Sequence, residues 1–242
     1  MKRLLALAAS IVVGFVGITQ VEAKTTPPPA PTLLVLGDSL TWGTNYRGFG
    51  NVTPKLKAVG YFNTIVVDGV FARNISGPAG TARNGVKTLK KLSASGLRPD
   101  AAIIALGSND LQHSGDKAFY IARIREMLAL VGDIPVVWFN VWRTDAPYYP
   151  KRSATFNAAL VEVASERTNV VVADWASIVT ANPKLMAFDG LHLQPVGYRL
   201  RAQMYVEATQ MLIDTLSPPP TTTVPTTVPE TTIPSSTTTV AG

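Results

Sequence analysis

Five short apolar runs recur along the middle of the chain, and each is followed by polar or glycine-rich residues. Runs of this length with little polar interruption are typical of strands covered on both faces of a sheet. The second run is β-branched at four consecutive positions, 64–67, and strands favour such residues. The pattern predicts strands over 32–36, 62–67, 101–106, 135–141 and 169–173.

Between and after these runs, apolar residues recur at steps of three and four, which is the spacing of one helix face. Val86, Leu89 and Leu92 show this spacing. Pro195 is a favoured first-turn residue and marks the start of the last helix. Helices are therefore expected over 54–59, 80–93, 116–131, 153–166 and from about 195 onward, and a polar, glycine-rich loop is expected after the first strand.

Strands that alternate with helices indicate an α/β fold in which helices cover both faces of a five-stranded parallel sheet. In such folds ligands bind beyond the carboxyl ends of the strands, where the strand order reverses. The serine after the first strand stands in GDSLT rather than in a GxSxG elbow. The α/β-hydrolase fold is therefore not indicated.

The first 23 residues have the pattern of a secretory signal peptide. Lys2 and Arg3 precede an uncharged run that ends at Ile18, and small residues stand at Val21 and Ala23. The alternative is a membrane anchor, but the run is shorter than the roughly 20 apolar residues that a spanning helix needs. We expect export, cleavage after Ala23 and no membrane span in the cleaved chain.

The other end of the chain also differs from the middle. Residues 217–242 consist almost entirely of Thr, Pro, Ser and Val, with Glu230 as their only charge. Such a segment cannot bury enough apolar surface to offset its ordering entropy, so we expect an extended stalk, either O-glycosylated or a plain spacer. With a proline-rich linker over 24–31, this leaves 32–216 as a single domain.

Composition excludes several classes of site. The absence of cysteine excludes thiol chemistry and cysteine-ligated metals, and two histidines argue against a His-rich metal centre. The net charge of +6 permits a mild attraction to anionic cell-envelope polymers, although a solvated basic surface explains it equally well. The charges are scattered, and no basic stripe indicates nucleic acid.

Three polar clusters carry candidate chemistry. Ser39 follows the first strand, where it is either a nucleophile or an ordinary turn or cap serine. Asn109 follows the third strand, which lies beside the first in a doubly wound sheet, so its amide is placed to stabilise an oxyanion. Asp189 precedes His192 by three residues, a spacing at which a carboxylate can orient a base. We expect His192, rather than His113, to be that base.

The three clusters together resemble the blocks of the SGNH, or GDSL-type, hydrolase family. The matching segments are GDSL at 37–40, GSND at 107–110 and DGLH at 189–192, in the family's order and placement. The resemblance spans about 32–212 and is closest to secreted or acyltransferase-associated SGNH domains of bacterial envelopes. It implies a flavodoxin-like three-layer sandwich with a five-stranded parallel sheet.

The resemblance also implies roles for the matching positions. Ser39 is expected as the nucleophile, His192 as the general base and then acid, and Asp189 as the carboxylate that orients it. Asn109 and the backbone N–H of Ser39 are expected as two oxyanion donors.

The family's third oxyanion donor is a glycine N–H after the second strand, and here this chain departs from the pattern. The stretch 68–73 reads DGVFAR, with Ala72 at the glycine position. Because alanine resists positive φ, we expect Ala72 to donate from an ordinary conformation. The alternatives are a shifted loop in which Gly77 donates, or a slow enzyme with two donors. Arg73 is expected to brace this loop, the alternative being contact with an acidic substrate.

These roles predict a secreted or envelope-associated serine esterase that is a monomer and uses no metal or organic cofactor. Its expected partner is a small-molecule or glycan ester. The alternatives are an O-acyltransferase that passes the acyl group to a glycan, and a catalytically weak glycan-binding module. Four aromatic residues near the site form a wall for the substrate, belong to the core or form a lid, namely Trp42, Trp142, Tyr148 and Tyr149.

Overall fold

The computed structural model describes residues 31–217. Their strands form one all-parallel sheet whose order, β2-β1-β3-β4-β5, is that of the flavodoxin-like doubly wound fold. The predicted fold class is therefore confirmed. The strands are β1 (Thr32–Gly37), β2 (Thr64–Gly69), β3 (Ala101–Ala105), β4 (Val136–Phe139) and β5 (Val170–Ala173).

Seven helices of the described residues cover the two faces of the sheet. The helices are α1 (Ser39–Asn45), α2 (Val52–Ala58), α3 (Gly85–Ala94), α4 (Lys117–Val131), α5 (Tyr149–Ser165), α6 (Trp175–Ala181) and α7 (Pro195–Leu216). Helices α3, α4 and α5 pack on one face, and α1, α2, α6 and α7 pack on the other.

The two faces of the sheet explain why the strand sequences are apolar without interruption. In β1, Leu34 and Leu36 belong to one core cluster, whereas Leu33 and Val35 belong to the other. Successive side chains of a strand point to opposite faces, so a strand covered on both sides needs apolar residues at every position. Each fully buried side chain of this size contributes about 1.5–3 kcal/mol.

Apart from shifts of up to four residues in the ends of several elements, local details depart from the sequence-based expectation at three places. The expected loop after β1 is instead α1, whose first residue is Ser39. The single helix expected over 80–93 is a 3₁₀ turn at Thr81–Arg83 followed by α3, because Asn84 caps the helix with its side chain. Helix α6 had no counterpart in the prediction.

The expected signal peptide at 1–23, the linker up to residue 30 and the stalk from residue 218 lie outside the described residues. Within 31–217, none of the helices has the length and apolar character needed to cross a membrane.

Candidate active site

Ser39 follows the carboxyl end of β1, the strand at which the strand order of the sheet reverses. Strand β1 has β2 on one side and β3 on the other, so the crevice beyond its end is the position at which doubly wound folds bind ligands. Asp38 caps α1 by accepting a hydrogen bond from the N–H of Leu40 at 2.9 Å. This cap starts the helix abruptly and fixes Ser39 in its first turn, where the side chain is only slightly exposed.

The side chains of Ser39, His192 and Asp189 form a continuous hydrogen-bonded row. His192 Nε2 lies 3.0 Å from Ser39 Oγ, and His192 Nδ1 lies 2.7 Å from Asp189 Oδ2. A carboxylate on Nδ1 holds the proton there and leaves Nε2 as the acceptor that faces the hydroxyl. A serine, an imidazole and a carboxylate in this order can activate the hydroxyl for attack on a carbonyl carbon.

Asp189 is held in its charged form by the turn that it starts. Its Oδ1 accepts hydrogen bonds from the N–H groups of Leu191 at 3.0 Å and His192 at 2.9 Å. Burial by itself raises the pKa of Asp189, but the hydrogen bonds from the His192 ring and from these two N–H groups outweigh it. The pKa of Asp189 therefore lies below its ordinary value, as suits a carboxylate that must stay ionised beside the imidazole.

The turn that carries Asp189 and His192 is fastened to the segment after β4. The carbonyl of Gly190 accepts hydrogen bonds from Thr144 N at 2.8 Å and Thr144 Oγ1 at 3.3 Å. Gly190 has φ of 67°, and a Cβ at this position would lie 2.7 Å from the N atom of Asp145. Glycine is required here for both reasons. No local sequence pattern marks Thr144, whose role depends on a contact across 46 residues.

His113 lies in a different environment, although it shares a sequence feature with His192. Asp110 stands three residues before His113, so the Asp-x-x-His spacing occurs twice in the chain and does not by itself identify the base. The carboxylate of Asp110 binds Arg123 at 2.6 Å and Ile75 N at 2.9 Å, and His113 is exposed. Within the described residues, His192 is the histidine hydrogen-bonded to Ser39.

Asn109 lies beside Asp38, the residue before Ser39, as expected from the pairing of β1 with β3. Its Nδ2 donates to Asp38 Oδ2 at 3.3 Å and to the carbonyl of Arg73 at 3.1 Å. The amide therefore joins the end of β1 to the loop after β2. Asp38 is buried, and its burial raises the pKa of the carboxyl, while the Leu40 N–H, Arg201 and Ser108 act in the opposite direction.

Ala72 is the point at which the structure corrects the sequence-based expectation. Its φ is 55°, so it adopts the left-handed conformation that the family's glycine would adopt, and the expectation of an ordinary conformation is wrong. The reason is its neighbour Arg73, which is 1% exposed and donates to Gly37 O at 3.0 Å, Asp68 O at 2.7 Å and Ala82 O at 2.8 Å. These buried contacts fix the chain on one side of Ala72 and outweigh the local preference of alanine.

Arg73 also forms an ion pair with Asp68 at 2.8 Å. Each of its three side-chain nitrogens thus donates to a group of the protein, which agrees with the expected bracing role rather than with contact to an acidic substrate.

Gly77 lies farther along the same loop, against a different part of the protein. Its carbonyl accepts a hydrogen bond from Asn84 Nδ2 at 2.7 Å, and a Cβ built on it would lie 2.8 Å from Arg123. Arg123 pairs with Asp110, whose other oxygen holds Ile75 N of this loop. Burial raises the pKa of Asp110 to about 6 even though Arg123 opposes the shift.

The aromatic residues near the site divide between core and surface. Trp42 lies one helical turn after Ser39 and is 41% exposed, stacked on Tyr46 at 5.3 Å and tilted against Phe71 at 4.7 Å. Tyr148 is exposed. Tyr149 is buried under Arg143, and Trp142 packs against the core. Phe71 received no role in the sequence-based prediction, although it adjoins the predicted donor Ala72.

Two sequence comparisons with known proteins bear on this site. A sequence model described as the GDSL-like lipase/acylhydrolase family matches residues 35–200, a span that includes all three polar clusters. Among curated proteins, no sequence matches the chain.

Several solved structures share the fold at low sequence identity. A carbohydrate acetylesterase family member from Sinorhizobium meliloti is 19% identical with a TM-score of 0.60, over 76% of this chain and 99% of that protein. A lipase/acylhydrolase from Enterococcus faecalis is 22% identical with a TM-score of 0.59, over 75% and 96%. The inhibitor-bound aryl esterase of M. smegmatis is 20% identical with a TM-score of 0.58, over 76% and 100%. At these identities the likeness concerns the fold alone.

Proposed function

The chain belongs to the GDSL-like lipase/acylhydrolase family and is a serine hydrolase of ester bonds, and on this premise we propose that it is exported and acts through an acyl-enzyme on Ser39. The proposed substrates are carboxylic esters of small acyl groups or of cell-envelope molecules. The observation that carries the proposal is the 3.0 Å distance between Ser39 Oγ and His192 Nε2.

In the proposed first step, Ser39 Oγ attacks the ester carbonyl while His192 Nε2 takes the hydroxyl proton. Asp189 keeps the other ring proton on Nδ1 and stabilises the imidazolium that forms. His192 then gives its proton to the departing alkoxide, so the alcohol leaves neutral and the acyl group remains on Ser39. General base catalysis of this kind contributes about 10²–10⁴-fold.

Three donors are proposed for the oxyanion of the tetrahedral intermediate. The N–H of Ser39 is at the start of α1. Asn109 Nδ2 donates to Asp38 and Arg73, and the proposal requires that it exchange the longer of these bonds, the 3.3 Å contact with Asp38, for the oxyanion. We assign the third donor to Ala72 because its neighbour Arg73 contacts the amide of Asn109, whereas Gly77 packs against Arg123 on α4. Removing one donor of this type typically costs about 10²–10³ in kcat.

In the proposed second step, His192 activates a water molecule that attacks the acyl-enzyme. The carboxylic acid leaves, and the proton returns to Ser39 through Nε2. An alcohol of a glycan in place of water would make the protein an O-acyltransferase by the same chemistry. Family membership favours an enzyme over the glycan-binding module that the sequence left open.

Export and substrate rest on different observations. The signal-like pattern of residues 1–23 supports export. The structures of similar fold are named as a carbohydrate acetylesterase and an aryl esterase, which supports small acyl groups on a sugar or aryl alcohol as the first substrates to test.

The test is hydrolysis of 4-nitrophenyl acetate by the full chain and three variants. We expect Ser39→Ala and His192→Ala to lose on the order of 10⁴-fold or more in kcat. His113→Ala is the matched control, since it removes the other histidine of an Asp-x-x-His pair, and it should keep most of the activity. Full activity of Ser39→Ala would contradict the nucleophile assignment. A loss in His113→Ala but not in His192→Ala would show that the base is the other histidine.

A further inference from the structure

The exposed aromatic residues of the described chain are all at one end of the sheet. Trp42 and Tyr46 belong to α1 after β1, Phe71 follows β2, Tyr148 follows β4, and Phe188 stands in the loop before α7. These five residues, here called the aromatic rim, lie at the end of the sheet that holds Ser39, and this end of the domain is here called the mouth of the active site. The large exposed side chains elsewhere in the described chain are aliphatic, for example Leu130 and Met211.

Phe188 is the most exposed member of the aromatic rim. Its side chain is fully exposed, and it directly precedes Asp189. No other side chain of the described residues covers the Phe188 ring. A small substrate bound at Ser39 leaves most of this ring in water. Trp42 contacts both Tyr46 and Phe71, and these three residues form a second apolar surface within the aromatic rim.

The acidic and basic residues at the mouth differ in whether they have partners within the protein. The carboxylates there are engaged within the protein: Asp68 with Arg73, Asp110 with Arg123, Asp145 with Arg143 and Asp189 with His192. Asp38, Asp116 and Asp174 cap α1, α4 and α6. Each of these carboxylates therefore already has a partner.

Four cations at the mouth, unlike the carboxylates, form no ion pair within the described residues. Exposed Arg47, Arg83, Lys151 and Lys184 lie on the segments beyond the carboxyl ends of the strands and have no ion-pair partner among residues 31–217. The glutamates of the described residues lie instead in the C-terminal halves of α4, α5 and α7 or just after α5, toward the opposite end of the sheet. The mouth therefore carries a surplus of positive charge next to exposed aromatic rings.

We propose that the aromatic rim and the four cations dock the mouth of the active site onto the surface of an anionic lipid bilayer. Aromatic side chains partition into the interface between headgroups and acyl chains. Each Lys or Arg near an anionic surface strengthens binding by about fivefold. A soluble polyanion accounts for the cations but leaves Phe188 in water, and a small ester accounts for Trp42 but not for Phe188 or Lys184. The proposal rests on the proposed function in placing Ser39 against an ester of the lipid layer.

The test is cosedimentation of the full-length Ser39→Ala chain with vesicles, so that no ester is consumed. Vesicles of phosphatidylglycerol mixed with phosphatidylcholine are compared with phosphatidylcholine alone, at low and high NaCl. Each further substitution is made in this background: Phe188→Ser and Lys151→Glu in the rim region, with Leu130→Ser at the opposite end of the sheet as the matched control. Residues 1–30 are common to all of these proteins, so differences among them report on the described domain, and thermal melting checks that each variant is folded.

We expect binding to the anionic vesicles that weakens with salt and is much weaker on the neutral vesicles. Phe188→Ser should weaken binding roughly tenfold, Lys151→Glu at least about fivefold, and Leu130→Ser should leave it unchanged. Equal binding by Phe188→Ser and the parent would overturn the proposal. So would retention on an anionic polysaccharide without vesicle binding.

The readout is independent of catalysis. A wild-type chain that hydrolyses 4-nitrophenyl acetate but does not bind vesicles refutes the docking alone, whereas a chain that binds vesicles and hydrolyses nothing refutes the proposed function alone.

Discussion

Two loops meet at Ser39, and they solve the same conformational problem with different residues. The turn that carries His192 has Gly190 at φ of 67°, and the loop after β2 has Ala72 at φ of 55°. Left-handed backbone is ordinary for glycine and costs alanine about 1–2 kcal/mol. The conformation of the first loop thus suits its glycine, whereas the second loop holds an alanine in a conformation that alanine disfavours.

The difference lies in how each loop is held. Asp189 accepts two N–H groups from within its own turn, and Thr144 fastens that turn through a single carbonyl. The loop of Ala72 is held by buried Arg73, which reaches Gly37 and Ala82, and by Asp110, which holds Ile75 N. A local turn needs few supports, whereas a strained one needs buried polar contacts from distant segments.

The largest expected effect comes from changing the turn that carries the base. Asp189→Asn keeps the size of the side chain but removes the charge that fixes the proton on Nδ1. We expect kcat for 4-nitrophenyl acetate to fall by about 10⁴-fold, as for the corresponding change in a well-studied triad. The melting temperature should change little, because Asp189 is partly exposed. A loss of less than tenfold would show that Asp189 does not orient His192.

The next effect is a pH dependence of the free energy of unfolding, and it comes from Asp110, which holds Ile75 N in the loop of Ala72. The pKa of Asp110 is raised to about 6 from 3.8, so between these values the folded state binds more protons than the unfolded state. Stability from this group is fully present below about pH 4 and is lost as pH rises through about 6, by roughly 3 kcal/mol.

Urea unfolding of the wild type and Asp110→Asn from pH 4 to 7 measures this dependence. The free energy of unfolding of the wild type should decline relative to that of the variant over this range. Asp133→Asn is the control, since that side chain is fully exposed, and it should give a curve parallel to the wild type. If the free energies of unfolding of the wild type and Asp110→Asn changed in parallel with pH, the raised pKa of Asp110 would be contradicted.

A smaller effect tests whether the turn that carries His192 needs Gly190 because a side chain would not fit, as well as because of its positive φ. Gly190→Ala places a Cβ 2.7 Å from Asp145 N, whereas Gly60, at φ of 81°, has no atom within 4 Å of such a Cβ. Gly60→Ala should cost about 1 kcal/mol for the backbone alone. Gly190→Ala should cost about 2–3 kcal/mol and also lower kcat, because Asp189 and His192 move. Equal unfolding free energies for the two variants would show that the crowding at Gly190 is relieved without cost.

The smallest effect is expected at Ala72. Ala72→Gly relieves the left-handed strain but adds freedom to the unfolded chain, so the free energy of unfolding should rise by no more than about 1 kcal/mol. Because the N–H is retained, kcat should stay within about threefold of the wild type. A tenfold loss of kcat would mean that the methyl group or the rigidity of Ala72 contributes to the site.

The same contrast explains what the sequence could predict. The strands and the turn of Asp189 and His192 depend on neighbours in sequence, so periodicity and spacing indicated them. Helix α1 was missed because Thr41, Gly43 and Thr44 have low helix propensity, and it forms through the Asp38 cap and burial on α7.

The long-range supports left no such signal. The conformation of Ala72 is imposed by Arg73 through a carbonyl 36 residues away. The contact of Thr144 with Gly190 and the pair of Asp110 with Arg123 likewise join segments that no local pattern connects. The Asp-x-x-His spacing itself occurs twice, and only the fold separates His192 from His113.

The central claim is that Ser39 is a hydroxyl activated by His192, and its most direct test is covalent labelling. The full chain is treated with a fluorophosphonate, and the adduct is located by peptide mass spectrometry in the wild type and in His192→Ala. The account predicts one adduct, on Ser39, whose formation is slowed by several orders of magnitude in His192→Ala. An adduct on another serine, or labelling of Ser39 at the same rate without His192, would contradict it.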